Sequence, residues 1–283
     1  MHLGSLCTAL ASFLDARSHN GQWLLRIDDL DTPRNVKGAA ESILKTLASF
    51  ELVWDRTEVY QSQHLDVYND IISTLAKNQL VFPCTCSRKT LATCGSTPLN
   101  DVYPGTCRKK KTPLDEPYSL RIKTDNRVIS FQDALQGPVS HNLESQTGDF
   151  VIQRKDQIIA YQFAVVIDDN LQQINHIVRG VDLLESTPRQ IYLQQILGFS
   201  TPNYEHVPII VDQQGYKLSK QTLATAVDSK NSQAVIFKLL TLLKQNPPQE
   251  LESQPLTELL AWAIAHWNPT LLKNSRTMIQ ITY

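Results

Sequence analysis

Four groups of residues carry charge-binding or reactive side chains at informative spacings. Lys217-Leu218-Ser219-Lys220-Gln221 sets two ammonium groups three residues apart, after an apolar run at 207–211 and the polar turn Asp212-Gln213-Gln214-Gly215. A cationic loop of this kind suits a polyphosphate, since each ammonium is a point charge with three donors. Near the start of the chain, His2-Leu3-Gly4-Ser5 opens a segment with apolar side chains at Leu3, Leu6, Leu10, Phe13 and Leu14, the spacing of a helix over 3–16. Its first turn would offer His2 and unpaired backbone N–H groups to an anion, and Gly4 would let a ligand approach the backbone closely. The acidic cluster Asp28-Asp29-Leu30-Asp31 follows Trp23-Leu24-Leu25-Arg26-Ile27, which reads as a buried parallel strand. Ligands of open α/β sheets sit outside the carboxyl ends of such strands. The same acids could also simply cap the next helix.

The fourth group is Cys84-Thr85-Cys86 with Tyr103-Pro104-Gly105-Thr106-Cys107. Three thiols suit tetrahedral Zn²⁺ and leave one corner for Cys94 or for the Tyr103 phenol. Thiolate is the better zinc ligand, which favours Cys94 on chemistry alone. A site filled at all four corners leaves no room for substrate and is structural. The basic run Arg108-Lys109-Lys110-Lys111 follows directly, either as a solvated loop or as a contact to an RNA phosphate backbone.

These groups need elements to position them. The 283 residues can bury a substantial core in one large domain or two. No apolar run is long enough to span a bilayer and no secretory leader pattern is present, so no membrane partner is expected. Five cysteines are too sparse for a disulfide framework, and a reducing cytoplasm is the expected setting. With a formal net charge of −1, an RNA partner must be met by local basic patches rather than by a global field. Thr32-Pro33 opens a helix with Ala40, Ile43, Leu44 and Leu47 on one face, and a second helix over 63–77 is capped by Ser62. Residues 118–129 read as a hairpin around Asp125-Asn126, and 149–154 and the stretch from Ile158 as further strand. Dense apolar sequence returns at 160–167 and 174–178. Thr187 is expected to cap a helix with Pro188 at its first position. Helices over 235–244 and 256–267 flank Asn246-Pro247-Pro248.

His2-Leu3-Gly4-Ser5 and the lysine loop together resemble the two ATP motifs of class I aminoacyl-tRNA synthetases, with Ser5, Leu218 and Gln221 as departures. Arg26-Ile27-Asp28-Asp29-Leu30-Asp31 with Pro33-Arg34 resembles a segment of the glutamyl-tRNA synthetases and of their shorter relatives, the glutamyl-queuosine tRNA(Asp) synthetases. Tyr161-Gln162, Val178-Arg179-Gly180-Val181-Asp182 and Ser186-Thr187-Pro188-Arg189-Gln190 are similar to the same family. The resemblance covers nearly the whole chain in one unbroken order. It implies an α/β, Rossmann-type class I catalytic domain: a first half at 1–80, a zinc-binding insertion at 81–157, a second half with the lysine loop at 158–228, a helical segment at 229–283, and no anticodon-binding domain.

The activity implied is ATP-dependent activation of glutamate with Mg²⁺, followed by transfer of the glutamyl group to queuosine at the wobble position of tRNA(Asp). The resemblance places His2 and Lys220 in catalysis, His2, Gly4, Ser5, Lys217, Ser219 and Lys220 at ATP, and Asp28, Tyr161 and Arg179 at glutamate. For zinc it favours Cys84, Cys86, Tyr103 and Cys107. Asp28 is one methylene shorter than the family's glutamate, so its contact to the substrate ammonium becomes longer or water-mediated. A guanidinium at 179 suits bidentate recognition of a side-chain carboxylate. The family also places a strand and an Arg-containing loop before His-x-Gly, so the native chain is expected to begin upstream of Met1, or else to be a damaged copy. The other readings are a discriminating glutamyl-tRNA synthetase-like enzyme, a non-catalytic zinc and RNA-binding remnant, and a different nucleotidyltransferase sharing His-x-Gly.

Overall fold

The first helix, α1 (Leu3–Ser18), is built as its pattern demands: Leu6, Leu10 and Leu14 recur every fourth residue and are fully buried. Each such side chain removed from water contributes roughly 1.5–3 kcal/mol. Phe13 meets the Trp23 ring edge to face at 5.4 Å, and Trp23 Nε1 donates to Ser12 Oγ at 3.0 Å. The computed structural model describes residues 1–93, 102–109, 115–217 and 227–279.

After α1 come β1 (Arg26–Ile27), α2 (Ala39–Ser49), β2 (Val59–Tyr60), α3 (Leu65–Lys77), β3 (Val81–Cys84) and α4 (Arg88–Thr93). The middle of the chain supplies β4 (Ser119–Ile122), β5 (Val128–Asp133), β6 (Gly137–Asn142), α5 (Leu143–Gln146) and β7 (Phe150–Gln153). Then follow α6 (Tyr161–Leu171), β8 (His176–Gly180), α7 (Thr187–Leu197), β9 (Asn203–Val207), β10 (Ile209–Val211), α8 (Ser232–Leu242), α9 (Leu256–His266) and β11 (Thr277–Ile279). None of the described helices is long and apolar enough to cross a membrane.

The central four-stranded sheet has the order β6-β5-β9-β8, parallel at β5–β9 and β9–β8. β1 and β2 form a separate parallel pair. A cavity of about 780 Å³ lies between that pair and the sheet, with residues 24–26 on one wall, 176–178 on the other, and Ala9 and Ser12 of α1 beneath. β3, β4 and β7 make an antiparallel sheet that carries the cysteines. One apolar core joins α1, α8 and α9. A second joins α3, α6 and α7 to β4, β5 and β7.

Several expectations need correction. Thr32-Pro33 opens only a 3₁₀ turn, Thr32–Arg34; α2 starts at Ala39, after Gly38 at φ +79°. Ser62 does not cap α3, because its N–H and hydroxyl both donate to Asp29, at 2.8 and 2.6 Å. Residues 118–129 are not a hairpin: β4 pairs with β3 and β7, while β5 pairs with β6 and β9. Strand ends near Ile159 in a single bridge to Gln153, and α6 begins two residues later. Thr187 lies inside α7, and its hydroxyl is engaged elsewhere.

Candidate active site

Asp28, Tyr161 and Arg179 come from three elements and are near enough for their charges to act on one another. Tyr161 is the first residue of α6, Arg179 is the fourth of β8, and Asp28 follows β1. The charges of Arg179, Asp28, Arg26 and Asp169 all act on the Tyr161 phenol. Burial raises that phenol above its ordinary range, and Arg179 works against the rise.

Beneath Asp28 lies a network that positions it. Arg26 Nε donates to Asp28 Oδ1 at 3.1 Å, while its Nη1 donates to Asp169 Oδ1 at 2.8 Å and Gln172 Oε1 at 3.0 Å. Asp168, fully buried, accepts from Gln61 Nε2 at 2.7 Å and from the Tyr68 hydroxyl, and lies 2.7 Å from His64 Nδ1. The Asp28 carboxyl is held above its ordinary range by loss of solvent, with Arg26 opposing and Asp168 and Asp29 adding to the rise. Of this network the sequence pattern singled out Asp28 alone. Arg26 stands within the same motif and could have been found there; Gln61, Asp168 and Asp169 carry no local signal.

Arg179 is buried, and its neighbours hold it without neutralising it. Nε donates to His206 Nε2 at 3.0 Å and Nη2 donates to Thr187 Oγ1 at 2.8 Å. The guanidinium lies 5.3 Å from the centroid of the Tyr204 ring. Among the described residues no carboxylate forms an ion pair with it. Tyr204 and His206 stand two residues apart on β9 with their rings stacked, in a strand buried from Tyr204 to Val207 and so without the alternation that would mark its faces in the sequence.

At the other side of α1's start, His2 caps the helix: Nδ1 accepts from the Ser5 N–H at 3.2 Å, which leaves Nε2–H to donate to Ser5 Oγ at 2.8 Å. Lys217 Nζ is 2.5 Å from Asp182 Oδ2, and Val227 N–H donates to Met1 O at 3.1 Å. The two described flanks of the lysine loop thus meet the end of β8 and the start of α1. Ser219 and Lys220 lie outside the described residues. Gly180 lets Asp182 reach Lys217, because a Cβ at 180 would collide with Asp182 Oδ1.

The sulfurs of Cys84, Cys86 and Cys107 lie within 4.8 Å of one another, with Cys86 and Cys107 3.5 Å apart. Tetrahedral zinc with Zn–S of ~2.3 Å needs sulfurs ~3.8 Å apart, so the three thiols fit the metal with small adjustments. Tyr103 Oη lies 3.5 Å from Cys84 Sγ and accepts the Cys107 N–H at 2.8 Å. Arg121 stacks over the Tyr103 ring at 3.9 Å. Burial raises the Cys84 thiol, but its hydrogen bond with Tyr103 and the nearby Arg121 outweigh this and bring it to about 7. Cys86 is pushed up to about 12, first by burial and then by Cys107. Cys94 lies outside the described residues, as do Lys110 and Lys111.

Residues 1–244 match the family model described as tRNA synthetases class I (E and Q), catalytic domain. A glutamyl-Q tRNA(Asp) synthetase of Aromatoleum aromaticum is 47% identical over 271 residues, which is 95% of this chain and 85% of that protein. Those of Neisseria meningitidis and Pseudomonas fluorescens are 45% and 42% identical, covering 95% and 96% of this chain and 92% and 89% of their own lengths. Among solved structures, a glutamate tRNA ligase from Elizabethkingia meningosepticum in complex with its amino acid superposes with a TM-score of 0.79 at 23% identity. A glutamate-tRNA synthetase from Elizabethkingia anophelis gives 0.80 at 22%. Both cover 99% of this chain, which spans 64% and 66% of their lengths, and at that identity they speak for the fold. By sequence and by fold, the chain belongs to the class I tRNA synthetases of the E and Q type, and among them to the group of the glutamyl-Q tRNA(Asp) synthetases.

Proposed function

We propose that the protein activates glutamate with ATP and Mg²⁺ and passes the glutamyl group to queuosine at the wobble position of tRNA(Asp). The observation that carries this reading is Arg179, a buried guanidinium held by two neutral acceptors, with no ion pair to a carboxylate of the described residues. A buried charge without a counter-charge is expensive. A substrate carboxylate entering beside Tyr161 would supply the missing anion and take the planar fork in a bidentate pair. Asp28, pinned by Arg26 and about 40% exposed, would face the substrate ammonium.

The chemistry needs no side-chain nucleophile. The α-carboxylate of glutamate attacks the α-phosphorus of ATP, pyrophosphate leaves, and a queuosine hydroxyl then displaces AMP from the adenylate. The protein's work is alignment and stabilisation of charge developing on the phosphates. His2, Gly4 and Ser5 at the start of α1 would meet ATP, together with Lys217, Ser219 and Lys220. Lys220 would sit at the phosphates where charge builds. Cys84, Cys86 and Cys107 would hold a structural Zn²⁺, with Tyr103 as the fourth donor.

ATP–pyrophosphate exchange with purified protein tests the reading. Exchange is expected with glutamate and without tRNA, and at least ~10²-fold less with glutamine, whose amide leaves Arg179 without its anion. No exchange with glutamate, or equal exchange with glutamine, would overturn it.

A further inference from the structure

Arg179 can receive a substrate carboxylate only if its fork is aimed and left free. The geometry points to Asp133 and His206 as the positioning pair that does both. We infer this on the reading of Arg179 as the glutamate contact. Asp133 ends β5 and His206 lies in β9, and both side chains are fully buried. Asp133 Oδ2 is 2.5 Å from His206 Nδ1. Its other oxygen accepts the backbone N–H groups of Leu135 at 3.0 Å and Gln136 at 2.8 Å. With every neighbour a donor, this carboxylate acts as acceptor only. The imidazole proton therefore sits on Nδ1, and Nε2 is left bare. That bare nitrogen takes Arg179 Nε–H at 3.0 Å. Thr187 Oγ1 takes Nη2, and its own proton has two acceptors at 3.2 Å, Leu183 O and the same bare His206 Nε2.

The arrangement orients one edge of the guanidinium while keeping a carboxylate one imidazole away from it. A direct Arg–Asp pair would consume the fork that substrate needs. Relayed through a neutral ring, the Asp133 charge offsets part of the cost of burying Arg179 and leaves the outer N–H groups for glutamate. The same logic governs carboxylate–histidine pairs behind metal ions, where the carboxylate fixes tautomer and ring orientation. Burial and the Arg179 charge both keep His206 from protonating, so the ring remains an acceptor.

Asp133→Asn is the discriminating variant. It preserves shape and the acceptor oxygen for Leu135 and Gln136, but it donates to His206 Nδ1. The ring proton then moves to Nε2, where it confronts Arg179 Nε–H. The expected result is a glutamate KM raised on the order of 10–100-fold in pyrophosphate exchange. The ATP KM should change little, whereas the buried donor–donor clash should lower the unfolding midpoint. In ¹⁵N-histidine spectra the native protein should show the Nδ1–H tautomer at His206 and the variant the Nε2–H tautomer. An Nε2–H tautomer in the native protein would overturn the proposal even if the variant does not fold. So would a tautomer switch that leaves the glutamate KM unchanged. Arg179→Gln separates the two levels of the argument. If it leaves the glutamate KM unchanged, the glutamate reading fails, and the relay with it. If it raises that KM while Asp133→Asn does not, the relay alone fails.

Discussion

Arg179 and Glu205 sit on neighbouring strands one register step apart, and the protein treats their buried charges in opposite ways. Arg179 keeps its charge and is given oriented acceptors. Glu205, 3% exposed, has an Oε1 with no hydrogen-bond partner among the described residues. Its carboxyl is pushed up to about 8 by burial first and then by Asp15 and Asp133. A carboxyl raised in the folded state stabilises fully below its unfolded value near 4.5 and loses that contribution as pH climbs toward 8. Glu205→Gln keeps the shape and removes the titration. Its unfolding free energy should match the native protein near pH 4.5 and exceed it near pH 8.5, by on the order of 2–4 kcal/mol. Denaturant curves at the two pH values would show this; an equal difference at both would refute it. Asp28, Tyr161 and Arg179, the proposed glutamate contacts, can be picked out of the sequence because each lies in a motif with a fixed local order. Asp133, His206 and Asp168 cannot, since the contacts they make depend on which strand or helix lies next to which.

At the level of elements, period and composition carried most of the reading. α1, α7, α8 and α9 fall where apolar spacing and Pro188 place them, while α6 stands where strand was expected; the strand before Asp28 pairs as a parallel strand, but only over Arg26–Ile27 and half-buried. Two of the misreadings share one cause: a residue able to cap a helix is also able to do other work. Ser62 serves Asp29, and Thr187 serves Arg179. The predicted hairpin failed because alternation specifies a strand's face but not its partner. The cysteine knuckle depends on Gly148 in the same way. At φ +68°, it lets the turn after α5 press on the Tyr103 backbone, and a Cβ there would stand 2.7 Å from Tyr103 O. Metal analysis of three variants tests the donor set. Cys84→Ser should lose zinc, Tyr103→Phe should weaken it, and Cys94→Ala should retain a full equivalent. Zinc lost from Cys94→Ala but retained in Tyr103→Phe would give the fourth corner to the thiolate.

Across the whole molecule, two large apolar cores are accompanied by polar contacts between segments far apart in the chain. The Asp168–Gln61 bond closes a loop of 107 residues, Arg26–Asp169 one of 143, and Trp267–Asp15 one of 252. Loop closure of this span must be completed before the contact rewards it, so such contacts form slowly. Helices such as α1 and α6 can form on local information alone. Refolding from urea should therefore restore helical circular dichroism well before pyrophosphate exchange returns, and simultaneous recovery in one phase would refute this order. A newly made chain would pass through a stage that looks folded to a spectrometer yet has no cleft. In that interval Arg26, Asp168 and Arg179 have no fixed partners, and what a cell sees is a helical, inactive polymer whose last act of folding is to acquire its chemistry.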